Sequence, residues 1–174
     1  MTMPILKTEI PTLLQTMADE VQELLADKNP LIIGIHSGGV WVAEALVSIL
    51  DISFFDAPLG TLNIAYYRDD FTRIGMHPEV RPSDLPVNVD GRHLLLVDDV
   101  LHSGRTVRAA LNEIFDYGRP ASVTLAVLVE RDGHELPIHA DIIGQSVNLK
   151  TNQHIKLTNK EGLALEITTN GEGE

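Results

Sequence analysis

The residues best equipped for chemistry lie in Leu94-Leu95-Leu96-Val97-Asp98-Asp99-Val100-Leu101-His102-Ser103-Gly104-Arg105-Thr106, where an aliphatic run passes through two carboxylates into a small-residue turn. Adjacent acids at the end of a strand can accept hydrogen bonds from vicinal hydroxyls. Ser103, Gly104, Arg105 and Thr106 then open a helix whose first N–H groups lack intrahelical acceptors and favour a phosphate. Hydroxyl acceptors a few residues from a phosphate cradle match a sugar phosphate. The bland alternative is an acid pair that merely caps a strand-to-helix turn. Neighbouring carboxylates repel and lose hydration when buried, so a fold retains them mainly where donors or a cation compensate, which a ligand would supply.

A second turn of this kind follows Leu31-Ile32-Ile33-Gly34-Ile35, where His36-Ser37-Gly38-Gly39 can bring backbone N–H groups close to an anionic oxygen. By itself it reads as a tight turn. His102, inside that loop, carries an imidazole with an intrinsic pKa near 6.5 that can accept a hydrogen bond, stack, or move a proton. The histidines at 77, 93, 134, 139 and 154 have no metal-ligand spacing, and no metal site is read from them. With no cysteine, the chain has no thiolate nucleophile, thiolate zinc site or disulfide.

The elements that must position these residues follow from periodicity. Ile10 to Ala26 places Leu13, Leu14, Met17, Val21, Leu24 and Leu25 on one helical face. Strands are expected at Leu31–Ile35, Leu59–Tyr67, His93–Val97 and Val123–Val129, and helices at Val40–Leu50 and Thr106–Phe115. This alternation predicts an α/β fold with a mainly parallel sheet, right-handed crossovers and a site at the strands' carboxyl ends. Residues 68–92, with Pro78, Pro82, Pro86 and little apolar periodicity, read as a long mobile lid loop. The polar stretch from Thr168 to Glu174 reads as frayed.

A chain of 174 residues with 44% hydrophobic content suits one domain, residues 1–174. There is no run of 18 apolar residues and no signal-peptide pattern at Met1-Thr2-Met3-Pro4, so no membrane partner and a cytoplasmic location are expected. A net charge of −12, with only 13 scattered Lys and Arg, disfavours sequence-independent binding to RNA or DNA.

The Leu94–Thr106 stretch resembles the phosphoribosyl-pyrophosphate (PRPP) motif of type I phosphoribosyltransferases: four hydrophobics, two acids and a Thr-Gly-x-Thr loop, here with Ser103 for the first Thr. Ile64-Ala65-Tyr66-Tyr67-Arg68-Asp69-Asp70, Gly118-Arg119-Pro120, Leu125 to Val129 with Arg131, and Glu135-Leu136-Pro137-Ile138 followed by Ala140-Asp141 narrow the resemblance to the PyrR family, pyrimidine-operon regulators and uracil phosphoribosyltransferases. The resemblance spans about Leu31 to Leu157. It implies a type I phosphoribosyltransferase fold with a small C-terminal hood over residues 138–160 and conversion of uracil and PRPP to UMP and pyrophosphate in pyrimidine metabolism. It also implies Mg2+ bound mainly through PRPP, and a homo-oligomer.

The same resemblance makes Asp98, Asp99 and Arg68 catalytic, with Arg68 near the leaving group. Val100, Leu101, His102, Ser103, Gly104, Arg105 and Thr106 would bind PRPP, and His36, Ser37, Gly38 and Gly39 the pyrophosphate. His102, His154 and Ile155 would border the base. The chain departs from relatives that carry Thr-Arg-Gly in the pyrophosphate turn and an aromatic residue at position 102. Two other readings remain: a UMP-sensing, RNA-binding transcription attenuator with little catalysis, and a transferase for a purine base.

Overall fold

Alternate residues of the central strands enter different cores, and this decides the layering. The computed structural model describes residues 9–64 and 83–171. Helix α1 (Ile10–Leu25) leads to strand β1 (Leu31–Ile35), helix α2 (Gly38–Leu50), a short 3-10 turn at Ile52–Phe54, and strand β2 (Gly60–Leu62). Then come β3 (His93–Leu101), α3 (Arg105–Tyr117), β4 (Ser122–Arg131), β5 (Ile142–Val147), β6 (Gln153–Asn159) and β7 (Leu163–Thr169). Leu95 and Val97 of β3 pack with α1 and α2 through Leu14, Met17, Val42 and Leu46. Leu94 and Leu96 face the other way, onto Val107, Ala110 and Ile114 of α3. The period-2 alternation of a strand thus sends one four-residue aliphatic run into two cores.

The main sheet has the order β2-β1-β3-β4-β5, and every neighbouring pair is parallel. In this order the chain runs outward from β1 to β2 and then crosses to β3 on the other side. The crevice between the carboxyl ends of β1 and β3 is therefore the topological switch point, where open α/β sheets bind ligands. Both turns singled out in the sequence, 36–39 after β1 and 102–104 after β3, open at that crevice. Among the described residues no helix is long and apolar enough to cross a membrane.

Several boundaries differ from expectation. β3 does not stop at Val97: the ladder continues, Asp98 opposite Val127, Val100 opposite Val129 and Leu101 opposite Glu130, so the acid pair lies within the strand. β4 likewise outruns its apolar segment, to Arg131. The last residues of both strands rise above the core toward the site, so backbone pairing persists where hydrophobicity has ended. Helix α2 starts at Gly38, making the expected glycine turn the helix's first turn. Helix α3 runs from Arg105 to Tyr117, beyond the expected Thr106 to Phe115.

Strand β2 ends at Leu62, and the Asn63 N–H instead donates to Ser83 Oγ at 3.0 Å. The expected lid falls partly outside the described residues, which resume at Ser83. Its later part is packed: Asp84 bridges Thr61 and Val89 is 1% exposed in the core.

The expected hood stretch divides in two. β5 joins the main sheet beside β4, while β6 pairs antiparallel with β7 as a separate two-stranded sheet. Thr168 and Thr169, expected to fray, pair with His154 and Gln153 at the end of β7.

Candidate active site

Asp98 is 4% exposed and Asp99 half-buried. Asp98 Oδ1 accepts the Asp99 N–H at 2.9 Å, and Asp99 Oδ1 accepts the Val100 N–H at 2.8 Å. The first turn of α2 closes over this pair. A methyl group on Gly38 would lie 2.1 Å from Asp99 Oδ2, and one on Gly39 would lie 2.5 Å from the Val97 carbonyl oxygen and 3.0 Å from Asp98 Cα. Only glycine lets the two segments approach so closely. The peptide between His36 and Ser37 in this turn is cis. The His36 N–H donates to the Leu62 carbonyl at 2.9 Å, tying the turn to β2.

After Leu101 the chain turns through His102, Ser103 and Gly104 into α3. Gly104 has φ +95°, a left-handed conformation that favours glycine, and its α-carbon faces Leu136 and Ile138. Ser103 Oγ accepts the Arg105 N–H at 3.2 Å, so the hydroxyl proton remains available to donate. The segment after β4 pins this loop from outside: the Ser103 carbonyl accepts the N–H groups of Glu135 at 3.0 Å and Leu136 at 3.1 Å. Arg105 Nε meets Glu135 Oε2 at 2.8 Å, an exposed ion pair of small energetic value.

The ladder that pairs Leu101 with Glu130 brings His102, just past β3, next to Arg131, the last residue of β4. His102 Nε2 sits 3.0 Å from where a methyl on Gly133 would project. Desolvation lowers the His102 pKa below its usual 6.5, and the charge of Arg131 acts in the same direction. Glu135 and Asp132 act the other way, and the net direction is downward. The imidazole is therefore neutral and an acceptor at neutral pH. Beyond it, residues after β4 and at the end of β5 line an open cavity of about 460 Å3, with Arg131, Gly133, His139 and Asn148 on its walls.

The structure thus brings together Asp98, Asp99, Val100 and Leu101 on β3, His102 to Thr106 at the start of α3, and His36 to Gly39 at the start of α2. His154 is exposed on β6, bonded through Nε2 to Asn170 Nδ2 at 3.1 Å, and its charge is felt by His102. Ile155, whose backbone groups are expected at the base, pairs with Ile167, and its side chain packs against the core. Arg68 lies outside the described residues. Sequence reasoning passed over Arg131 and Glu135 as site residues; their adjacency to the loop follows from strand register, which no local pattern encodes. For a metal, the hard carboxylate oxygens of Asp98 and Asp99 form a donor set of the type Mg2+ accepts.

A family model described as phosphoribosyl transferase domain matches residues 7–158. The chain is 60% identical over 161 residues to the bifunctional protein PyrR of Nitrosococcus oceani, covering 91% of this chain and 90% of that protein. It is 55% identical over 157 residues to the bifunctional protein PyrR of Pseudomonas paraeruginosa, covering 88% and 91%. Among solved structures, a hypoxanthine-guanine-xanthine phosphoribosyltransferase superposes with TM-score 0.68 at 24% identity, over 96% of this chain and 92% of that one. A hypoxanthine-guanine phosphoribosyltransferase from Bacillus anthracis superposes with TM-score 0.66 at 15% identity, over 84% of each chain. At those identities the superpositions speak for the fold. Taken with the sequence relatives and the site geometry, they show that the chain belongs to the phosphoribosyltransferase family and, within it, to the PyrR proteins.

Proposed function

We propose that this protein transfers the 5-phosphoribosyl group of PRPP to N1 of uracil, forming UMP and pyrophosphate. The observation that carries this reading is the meeting of three parts at the switch point: the Asp98–Asp99 pair, the Gly38–Gly39 turn packed on it, and the Ser103–Thr106 loop opening α3. Asp98 and Asp99 accept the ribose hydroxyls. The Ser103 hydroxyl and the first N–H groups of α3 hold the 5′-phosphate. The Gly38 turn receives the pyrophosphate at the N-terminus of α2, with Arg68 as a further cation for it.

In the transfer, the N1–C1′ bond forms as the bond from C1′ to the pyrophosphate oxygen breaks. The leaving group takes the bonding electrons, and the N1 proton passes to neutral His102. Positive charge on the sugar in an oxocarbenium-like transition state is stabilised by the nearby carboxylates, so catalysis rests on positioning and electrostatics without a covalent nucleophile. Asp98 and Asp99 would lie beside a Mg2+ ion carried mainly by PRPP oxygens and water, which would supply positive charge to offset that of the pyrophosphate. The choice of uracil over a purine rests on the PyrR relatives, since the purine enzymes share only the fold. The test is UMP formation from uracil, PRPP and Mg2+, set beside hypoxanthine and guanine. Asp98→Asn combined with Asp99→Asn should abolish the activity, and undiminished turnover in that double variant would sink the reading.

The second function of a bifunctional PyrR protein would be recognition of pyrimidine-operon leader RNA with UMP bound. Of the described cations, Arg92 pairs with Asp56, Arg105 with Glu135 and Arg131 is buried, while Lys28, Arg108, Arg119, Lys150, Lys156 and Lys160 are exposed and could meet phosphates. A gel shift of leader RNA at low salt with UMP decides it.

A further inference from the structure

Asparagine precedes glycine at one place in the chain, Asn170-Gly171, just past the end of β7. The other asparagines precede Pro, Ile, Val, Glu, Leu, Gln and Lys. An asparagine closes a five-membered ring when its amide carbon meets the backbone nitrogen of the next residue, and a glycine there removes the Cβ that would crowd the approach. Asn170 and Gly171 are both exposed, and a methyl group built on Gly171 would meet nothing within 4 Å. Among the described residues the Gly171 N–H has no backbone acceptor. The Asp-Gly pairs that could close the same ring are held more firmly. Asp90 Oδ1 accepts the Arg119 N–H while the Gly91 N–H donates to the Arg119 carbonyl at 2.9 Å, and Asp132 Oδ1 accepts the Leu149 N–H at 3.0 Å.

The Asn170 amide is open to attack but not unplaced. Its backbone N–H donates to the Asn152 carbonyl at 2.9 Å, and its Nδ2 lies 3.1 Å from Nε2 of His154 on β6. Nδ2 is the atom that must leave for the ring to close. In the resting amide it can only donate, so the imidazole nitrogen accepts. Once the amide carbon becomes tetrahedral, the same nitrogen is an amine that takes a proton, and an imidazole that titrates near neutrality is the donor at hand.

We propose that Asn170 is a self-modification site, its amide converted to a carboxylate through a cyclic imide with Gly171, with His154 protonating the departing nitrogen. The Gly171 nitrogen loses its proton to water and bonds to Asn170 Cγ. The Cγ–Nδ2 bond then breaks, its electrons leaving with the nitrogen, which takes a proton from His154 Nε2 and departs as ammonia; the ring recovers that proton from water. Water adds to either carbonyl of the imide and opens it to aspartate or isoaspartate. The aspartate product gains a negative charge beside the His154 ring, whereas in isoaspartate the main chain runs through the former side chain and redirects the terminus.

The test follows the full chain held at neutral pH and physiological temperature. An acidic species should accumulate whose C-terminal peptide carries aspartate and isoaspartate at position 170, read by peptide mass mapping and by enzymatic methylation of isoaspartate. Gly171→Ala, which the open space accommodates, should slow this about tenfold by crowding the nitrogen. His154→Gln keeps an acceptor for the amide but has no proton to give, so conversion should slow about fivefold or more. A ring that only restrains the amide predicts the reverse, faster conversion in the Gln variant. His154→Phe carries the same expectation if a thermal melt shows the Gln variant unfolded. Absence of conversion at Asn170, earlier conversion at another asparagine, or a His154 variant that converts as fast as wild type or faster would overturn the proposal.

Discussion

Gly38 and Asp99 are fitted to each other: a methyl group on the glycine would lie 2.1 Å from the Oδ2 of Asp99, 2.6 Å from its Cγ and 2.9 Å from its Cβ. The turn that would take the leaving group and the acid that would hold the ribose therefore share one packing contact. Neither can be repositioned without the other. Gly39 extends the contact to the β3 backbone through the Val97 carbonyl and Asp98 Cα.

Gly38→Ala and Gly39→Ala should consequently fail in different ways. The first meets chiefly a carboxylate, which can rotate off at the expense of ribose positioning, leaving only the Asp99 Cβ at 2.9 Å to be relieved by a small shift of the strand. Its kcat/KM for PRPP should drop about a hundredfold with a modest loss of stability, of about 1 kcal/mol. The second meets backbone that cannot rotate away, so its stability should fall by about 1–3 kcal/mol or more. Urea melts together with PRPP kinetics separate the two. Equal destabilisation of both variants would show that the Asp99 side chain is as immobile as the strand.

Gly104 should be as intolerant for a different reason. Its φ of +95° strains any L side chain, and an added methyl would press on Leu136 at 3.3 Å and Ile138 at 3.4 Å. Gly104→Ala should lose about 1–2 kcal/mol from the backbone alone. It should also raise the KM for PRPP, because Ser103 and the opening of α3 hang on that residue. Affinity for the base, measured with PRPP saturating, should change less.

The legible part of this site was the part written in local sequence. Asp98, Asp99 and the Ser103–Thr106 loop are neighbours in the chain, and the aliphatic run before them announces a strand covered on both faces, as Leu94 to Val97 prove to be. The turn at 36–39 is visible as composition, but its contact with the acid pair arises from the pairing of β1 with β3, in which Leu31 meets Leu94 and Gly34 meets Val97. Arg131 and Glu135 reach the loop through β3–β4 register and a backbone excursion that no periodicity encodes. Strand ends were misjudged for one physical reason: Asp98 to Leu101 and Glu130 to Arg131 keep their ladder after leaving the apolar layer, while hydrophobicity marks only the layer. The pairing of Ile155 with Ile167 and the packing of its side chain on the core likewise depend on the fold of the β6–β7 sheet, which no local pattern announces.

His102 should impose an acid limb on the reaction. Its folded pKa is held below 6.5, chiefly by desolvation and then by Arg131. The neutral acceptor therefore persists through neutral pH and is lost only as pH falls through the lowered value. The linkage has the same sign: the unfolded chain binds the proton more readily, so stability rises with pH between the folded pKa and 6.5 and is eroded as pH drops through that window. Because the side chain is exposed, the stability effect should be slight and the kinetic one larger. The log of kcat/KM for uracil against pH should bend downward on the acid side in wild type, and His102→Gln should flatten that limb. A limb that survives the substitution assigns the titration to another group.

Glu135 offers the last separation of structure from electrostatics. Its main-chain N–H holds the Ser103 carbonyl, while its carboxylate holds Arg105, the cation of the phosphate loop. Glu135→Gln keeps the first contact and takes the charge out of the second. The exposed ion pair contributes little, so stability should change by less than about 1 kcal/mol. A negative charge beside the 5′-phosphate then disappears, so the KM for PRPP should fall by about two- to fivefold at low ionic strength. Raising the salt concentration should shrink this gain, since screening weakens the repulsion that wild type suffers. A PRPP KM that rises instead would mean that Glu135 orients Arg105 for the phosphate, making the pair a positioning device.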